Sequence, residues 1–185
     1  GSCPIGGFME NIYRDIIMTG CVAEKGTDIL ASKYEHDGGG RIPGTIISRA
    51  KRIYRDETCR ICERIIMEMH LTHYKVSEGG IYKALWDMAQ AENVGVRVYL
   101  EDIYIRQETV ELCEHYDINP YMLNGEGSFL IISGNSAMLK KRFNDAGIHA
   151  QVIGYTCPDN DRIIINGDEK RYIESRIKDE LEVLL

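Results

Sequence analysis

The 185-residue sequence has no long apolar run and no excess of positive charge. Each apolar stretch falls short of the roughly 18 consecutive residues that a membrane-spanning helix needs. No charged-then-apolar leader stands before a cleavage site, as it would in a secretory precursor. We therefore expect a cytoplasmic protein that does not bind a membrane.

Acidic residues outnumber basic ones by 29 to 22, which gives a net charge of -7 and a pI near 5.3. Binding to nucleic acid or to an anionic membrane normally depends on clustered Lys and Arg side chains. The composition therefore argues against a dedicated nucleic-acid-binding protein. Small molecules or other proteins are the expected partners.

The six cysteines are scattered along the chain, and a chain of this size does not need disulfide bonds to fold, so reduced thiols are expected. One group raises an alternative. Cys59 and Cys62 are followed at the same spacing by His70 and His73, and four such side chains could bind zinc. On one continuous helix Cys59 and His73 would be about 21 Å apart, so a break would be required. We favour two ordinary helix cysteines, and metal binding by these four residues stays open.

Residues 1–11 are predicted to be a cleavage remnant and a flexible leader, and residues 12–185 to form one domain. Apolar runs and two-residue alternation predict strands in 15–23, 94–100, 127–132, 151–154 and 162–166. A period near 3.6 residues predicts helices in 26–34, in 45–71 with one break, and in 77–89, 106–116, 137–146 and 173–184. This alternation predicts a mixed β-sheet layered with helices, in an α/β or α+β domain.

The segment Ser77-Glu78-Gly79-Gly80 opens one of these helices and raises a question, because each glycine costs a helix about 1 kcal/mol relative to alanine. Ser77 is a suitable N-cap, and Glu78 suits the positive end of the helix. Bare glycine N–H groups could be approached by a phosphate or carboxylate. Tight packing of the helix against another backbone is the alternative explanation.

Seven segments together resemble a known family. They are D-I-I-M-T-G-C-V-A-E-K-G-T-D-I-L-A (15–31), S-E-G-G-I-Y-K-A-L-W-D-M-A (77–89), N-V-G-V-R-V-Y-L (93–100), I-R-Q-E-T-V-E-L-C-E (105–114), D-I-N-P-Y (117–121), G-E-G-S-F-L-I (125–131) and G-I-H-A-Q-V-I-G (147–154). In this order they make residues 12–170 resemble the C-terminal domain of AIR synthase-related proteins. This superfamily contains aminoimidazole ribonucleotide synthetase (PurM), selenophosphate synthetase, thiamine-monophosphate kinase and the hydrogenase maturation factor HypE.

The resemblance implies a PurM C-terminal-domain-like fold that normally follows an N-terminal ATP-binding domain. In such enzymes ATP and magnesium bind mainly to the N-terminal domain, and the C-terminal domain closes a cleft over a small-molecule or nucleotide ligand. No cofactor or metal is therefore expected in this chain alone. The residues implied to line the cleft and bind ligand or phosphate are Lys75, Ser77, Glu78, Gly79, Gly80, Gly125, Glu126, Gly127 and Ser128.

The chain departs from the family pattern at two places. Aligning the glycines of His73–Gly80 with the family's H-D-x-T-x-G-G puts Lys75 where an aspartate is expected, which reverses the local charge. We expect Lys75 to supply positive charge near a phosphate. The chain ends in Glu182-Val-Leu-Leu185, without the terminal cysteine that HypE modifies, so that particular activity is not expected.

Two functions follow from these observations. The chain is either the cleft domain of a HypE-like, ATP-dependent enzyme, inactive in isolation, or a non-catalytic binding or interaction module derived from that fold. Catalytic residues and the substrate stay open. The family dimerises through its N-terminal domain, so a homodimer of this chain would use another surface.

Overall fold

A computed structural model describes residues 13–185; residues 1–12, with the predicted leader, lie outside the described residues. The strands are β1 (Asp15–Thr19), β2 (Thr72–Lys75), β3 (Gly95–Tyr99), β4 (Phe129–Ser133), β5 (Ala150–Cys157), β6 (Arg162–Asn166) and β7 (Glu169–Tyr172). The α-helices are α1 (Glu24–His36), α2 (Gly44–Ala50), α3 (Asp56–Glu68), α4 (Gly80–Glu92), α5 (Gln107–Tyr116), α6 (Ser136–Asp145) and α7 (Glu180–Leu184). No helix of this part of the chain is long and apolar enough to cross a membrane.

The strands form one mixed sheet in the order β2-β4-β1-β5-β3-β6-β7. β3 and β6 run parallel, whereas the other neighbouring pairs run antiparallel. Helices pack on both faces. The predicted fold class, a mixed sheet layered with helices, is confirmed.

The central strand β1 shows why helices cover both faces of the sheet. Successive side chains of a strand point to opposite faces. Ile16 and Met18 therefore join a core with α1, α2, α4 and α5, whereas Ile17 joins a second core with α3 and α6. All three side chains are buried. A strand buried on both faces reads as a continuous apolar run, as D-I-I-M-T does.

The two strands at the sheet edges, β2 and β7, were not predicted. Each has four residues, T-H-Y-K and E-K-R-Y, and all four residues of β7 are exposed. An edge strand that buries little apolar surface lacks the alternation by which strands are recognised.

The predicted C-terminal helix over 173–184 is wrong in its extent, because only Glu180–Leu184 is helical. The segment nevertheless packs on the body of the domain. Ile173 and Leu181 are buried in the larger core, with Ile177 and Leu184 packed against it. The apolar spacing therefore reflected burial of an extended segment rather than one helix face.

Candidate functional site

Two segments that are distant in sequence lie side by side at one end of the sheet. The N–H of Val76 donates to the carbonyl of Ser128 (3.1 Å), and the N–H of Gly125 donates to the carbonyl of Ser77 (3.0 Å). These bonds continue the pairing of β2 with β4. We call residues 75–80 and 125–128 the paired loops; they contain all nine residues that the family resemblance implied.

Helix α4 does not begin where the sequence suggested. Gly79 is the N-cap and Gly80 the first helical residue, with φ angles of +84° and +69°. The Ser77 side chain makes no capping hydrogen bond; instead its carbonyl accepts from the N–H groups of Gly80 and Gly125. The prediction of Ser77 as N-cap is therefore wrong. Two consecutive left-handed residues turn the chain into the helix, which glycine does at little steric cost.

Gly80 also allows a close approach between two backbone segments. A Cβ atom at this position would lie 2.5 Å from the carbonyl oxygen of Tyr121 and 2.7 Å from that of Leu123. Both distances are far below van der Waals contact. At Gly80 the packing explanation therefore accounts for the glycine without a ligand.

The N–H of Gly79 already has an anionic partner within the chain. It donates to Oδ2 of Asp179 at 2.7 Å, while Oδ1 of Asp179 accepts from the N–H of Leu181 at 2.9 Å. Asp179 is only 4% exposed. The start of α4 thus binds a carboxylate, as expected for the positive end of a helix. This carboxylate comes from the C-terminal segment.

Lys75 lies at the exposed end of β2 and forms an ion pair with α3. Its Nζ is 2.9 Å from Oε1 of Glu63, and the two side chains are 67% and 39% exposed. The hydrogen bond to Glu63 is the largest cause that raises the pKa of Lys75, and the charge of Glu126 adds to it. The lysine cation is therefore paired with Glu63 on α3, and the charge of Glu126 in the 125–128 loop also acts on it.

A buried carboxyl group lies behind the paired loops. Glu24, the first residue of α1, is 8% exposed, and its Oε2 accepts from the N–H of Cys21 at 3.3 Å. A Cβ atom on Gly127 would lie 3.2 Å from Oε1 of Glu24. Burial raises the pKa of Glu24 to about 7, although the Cys21 N–H and the positive charge of Arg106 oppose the shift. Such a carboxyl can accept or donate a proton near neutral pH, which is a property of functional sites.

Ser128 completes this arrangement. Its side chain is 1% exposed, and within residues 13–185 its Oγ has no hydrogen-bond partner. A Cβ atom on Gly20 would touch both the Glu24 carboxyl and Cβ of Ser128, so the two side chains flank Gly20. A buried hydroxyl without a partner is costly, which makes it a candidate for binding a ligand.

Sequence reasoning missed Glu24 and Glu63. Glu24 sits within the quoted 15–31 segment, directly after the turn that follows β1, which is a position where functional side chains are often found. Glu63 looked like one of many helix carboxylates. Only the fold places it opposite Lys75.

The four candidate zinc ligands are dispersed by the fold. Helix α3 ends at Glu68, so Cys59 and Cys62 lie on the helix while His73 lies in β2. Cys62 is buried, which raises its pKa to about 12, and its thiol donates to Oγ1 of Thr19. Among the residues that the structure describes, no three His, Cys, Asp or Glu side chains are grouped to hold a metal ion.

Comparisons with known proteins agree with this fold. A putative hydrogenase expression/formation protein of Methanocaldococcus jannaschii is 25% identical over 156 residues, which cover 81% of this chain and 44% of that protein. A structure of the hydrogenase maturation protein HypE in complex with ATP superposes with a TM-score of 0.67 and 16% identity, over 93% of this chain and 52% of HypE. Thiamine-monophosphate kinase (ThiL) from Aquifex aeolicus, complexed with AMPPCP and TMP, gives a TM-score of 0.60 and 15% identity, over 91% and 52%.

The chain thus spans about half the length of each of these proteins. At these identities the two structures show a shared fold. The family match is more specific. The family of the AIR synthase related protein, C-terminal domain, matches residues 56–166, which is more than half of the chain. This protein therefore belongs to the AIR synthase-related family and contains its C-terminal domain.

Proposed function

We propose that this chain is the cleft domain of a HypE-like, ATP-dependent enzyme and that its paired loops face the nucleotide or substrate. One observation carries the proposal. The paired loops cover a buried carboxyl, Glu24, with a pKa of about 7, next to the hydroxyl of Ser128, which has no hydrogen-bond partner among the described residues. Both the burial of the Glu24 carboxyl and the lack of a partner for the Ser128 hydroxyl cost folding free energy. They are expected where a ligand or proton transfer makes use of them.

The comparisons support a nucleotide as the ligand class. One structural neighbour is a complex with ATP and the other a complex with AMPPCP and TMP. Both neighbours are about twice as long as this chain. Phosphoryl transfer depends on metal ions that position the γ-phosphate, and residues 13–185 provide no metal-binding cluster. We therefore propose that magnesium and most nucleotide contacts come from another domain, and that this chain alone catalyses no reaction.

The chain's own residues would have three roles in the closed cleft. Glu24, half-protonated near pH 7, holds or accepts a proton at its carboxyl oxygens. The Ser128 hydroxyl donates to or accepts from the ligand. Lys75, fixed by Glu63, attracts the negative charge of a phosphate, and this attraction strengthens when the cleft excludes water.

Calorimetric titration of ATP into the domain tests the role of Lys75. Lys75→Asp should weaken ATP binding at least about tenfold, because it replaces attraction by repulsion. Lys170→Asp, on the exposed strand β7, is the matched control and should leave the affinity unchanged. Equal ATP affinities for all three proteins would contradict the proposal.

A non-catalytic interaction module is the second candidate, and the C-terminal surface favours it. Val183 and Leu185 are 80% and 74% exposed, and Tyr172 on the edge strand is 69% exposed. Sedimentation equilibrium distinguishes the candidates. A concentration-dependent dimer that fails to bind ATP would support the interaction module, whereas a monomer that binds ATP would exclude it.

A further inference from the structure

A cavity of about 290 Å³ opens beside the turn between β1 and α1. Gly20 and Cys21 lie on its wall, so it adjoins the surroundings of Glu24. The charged lining comes from three other parts of the chain: the α2–α3 connection with Arg52 and Arg55, the segment before α5, and the segment before β5. Residues from four separate segments are thus brought to one cavity by the fold.

The charge of this lining is opposite to that of the chain. Arg52, Arg55 and Arg106 line the cavity together with His149, and no Asp or Glu is among its lining residues. The chain as a whole carries a net charge of -7. Within residues 13–185, no carboxylate comes within 4.0 Å of the guanidinium nitrogens of Arg52 or Arg55. Two guanidinium groups are therefore available to an external anion.

Arg106 is held in place by a buried carboxylate. Its Nε is 3.3 Å from Oε2 of Glu108, whose side chain is 7% exposed. Oε1 of Glu108 is also 3.5 Å from Nε of Arg49. One carboxylate is thus shared between two guanidinium groups, which leaves an excess of positive charge. The contact with Glu108 also fixes the orientation of the Arg106 side chain before any ligand binds.

The remaining wall does not repel an anion. Burial raises the pKa of the Cys21 thiol, so the sulfur stays uncharged at neutral pH. The rings of Tyr104 and His149 lie 4.6 Å apart between centroids, which orients the imidazole. Arg55 Nε donates to the carbonyl of Arg52 at 3.3 Å. The other N–H groups of the Arg55 guanidinium take no part in this bond.

Three acidic groups, Glu24, Glu108 and Asp56, lie near this wall, and none of them is among the residues that line the cavity. Glu24 acts on Cys21 and Arg106, but its pKa of about 7 makes it only partly charged at neutral pH. The Glu108 carboxylate is shared between Arg49 and Arg106. Asp56 accepts a hydrogen bond from the hydroxyl of Tyr54 at 2.7 Å.

We propose that this cavity is a binding site for the phosphoryl group of a small phosphorylated molecule. Guanidinium groups bind phosphate oxygens through two parallel N–H···O bonds, a geometry that suits several arginines around one tetrahedral anion. The volume lies at the lower end of small-molecule sites, which fits a compact phosphate monoester. The site goes beyond the nucleotide role of the paired loops and does not depend on it.

The test is calorimetric titration at low salt with inorganic phosphate, ribose 5-phosphate and ATP as separate probes. The test variant is Arg52→Gln combined with Arg55→Gln. The matched control is Arg60→Gln combined with Arg64→Gln, two exposed arginines of α3 that do not line the cavity. All four arginines are exposed, so the fold should tolerate both double variants, and circular dichroism verifies this. Replacing Arg52 and Arg55 by Lys retains the charge and should retain part of the affinity.

Phosphate and ribose 5-phosphate should bind the unmodified chain and the control, and the test variant should lose at least about tenfold in affinity. An equal loss for ATP, in addition to the loss for phosphate, would identify nucleotides as further ligands of the phosphoryl site. Unchanged phosphate affinity in the test variant, or no phosphate binding by the unmodified chain, would overturn the proposal. Loss on Lys75→Asp but not on Arg52→Gln/Arg55→Gln would place the anion at the paired loops instead.

Discussion

The backbone N–H of Gly79 donates a 2.7 Å hydrogen bond to the carboxylate of Asp179, one hundred residues further along the chain. This bond joins the start of α4 to the C-terminal segment. The same carboxylate caps α7 through the N–H of Leu181. One buried side chain therefore secures two helix starts and the docking of the C-terminal segment.

Replacing Asp179 by Ala should lower the free energy of unfolding by roughly 2–3 kcal/mol, because two N–H groups lose a charged acceptor. Asp179→Asn retains an acceptor oxygen and should cost less. Urea unfolding measures both, with Asp168→Ala in the exposed β6–β7 turn as the control. A loss below about 0.5 kcal/mol for Asp179→Ala would show that the bond does not hold the segment.

Replacing Gly80 by Ala should lower the free energy of unfolding by roughly 2 kcal/mol or more. The added Cβ would meet the carbonyl oxygens of Tyr121 and Leu123, and the φ of +69° is unfavourable for alanine. Gly134→Ala is the matched control, because an added Cβ there meets no atom within 4 Å. Thermal unfolding of the two variants compares them directly, and equal melting temperatures would contradict the packing explanation.

The buried carboxyl of Glu24 predicts a pH-dependent stability. Its pKa is about 7 in the folded chain and near 4.5 when exposed, so the folded state binds the proton more tightly. Stability from this group is present below pH 4.5, falls between pH 4.5 and 7, and is fully lost above pH 7. The difference corresponds to roughly 3 kcal/mol.

Glu24→Gln removes this dependence while keeping an acceptor for the Cys21 N–H. Relative to the unmodified chain, the variant should therefore gain stability as the pH rises from 4.5 to 8. Urea unfolding at several pH values measures the difference. A difference that stays constant across this range would mean that Glu24 titrates normally.

Ser128→Ala should be neutral or stabilising by up to about 1 kcal/mol, since it removes a buried hydroxyl that has no hydrogen-bond partner within residues 13–185. Thr109→Val is a contrasting change. The Thr109 hydroxyl hydrogen-bonds Thr27 at 2.7 Å, so its loss should cost about 1–2 kcal/mol. If Ser128 serves ligand binding, Ser128→Ala should also weaken ATP binding. A large loss of stability in Ser128→Ala would assign the hydroxyl a structural role.

Apolar periodicity was sufficient for the buried elements and insufficient at the sheet edges. β1, β3 and the broken helix over 45–71 were predictable, because their side chains point into a core. β2 and β7 bury little apolar surface and were missed. The start of α4 was misplaced because its two left-handed glycines respond to the Tyr121 and Leu123 backbone, which is distant in sequence.

The candidate site was predictable only in part, for the same reason. The family motifs brought attention to both paired loops, and the fold does place them together. The fold brings three acidic residues next to partners that lie 12 to 104 residues away in the sequence. Glu63 lies beside Lys75, Asp179 beside Gly79 and Glu24 near Ser128. Such partnerships leave no local pattern in one sequence.

Amide chemical-shift mapping of the ¹⁵N-labelled domain during titration with ATP tests the central claim most directly. If the paired loops face the nucleotide, the largest shifts should fall on residues 75–80 and 125–128, and they should diminish in Lys75→Asp. Shifts confined to the far edge at β7, or shifts at the paired loops that Lys75→Asp leaves unchanged, would contradict the assignment of this domain to a nucleotide or substrate cleft.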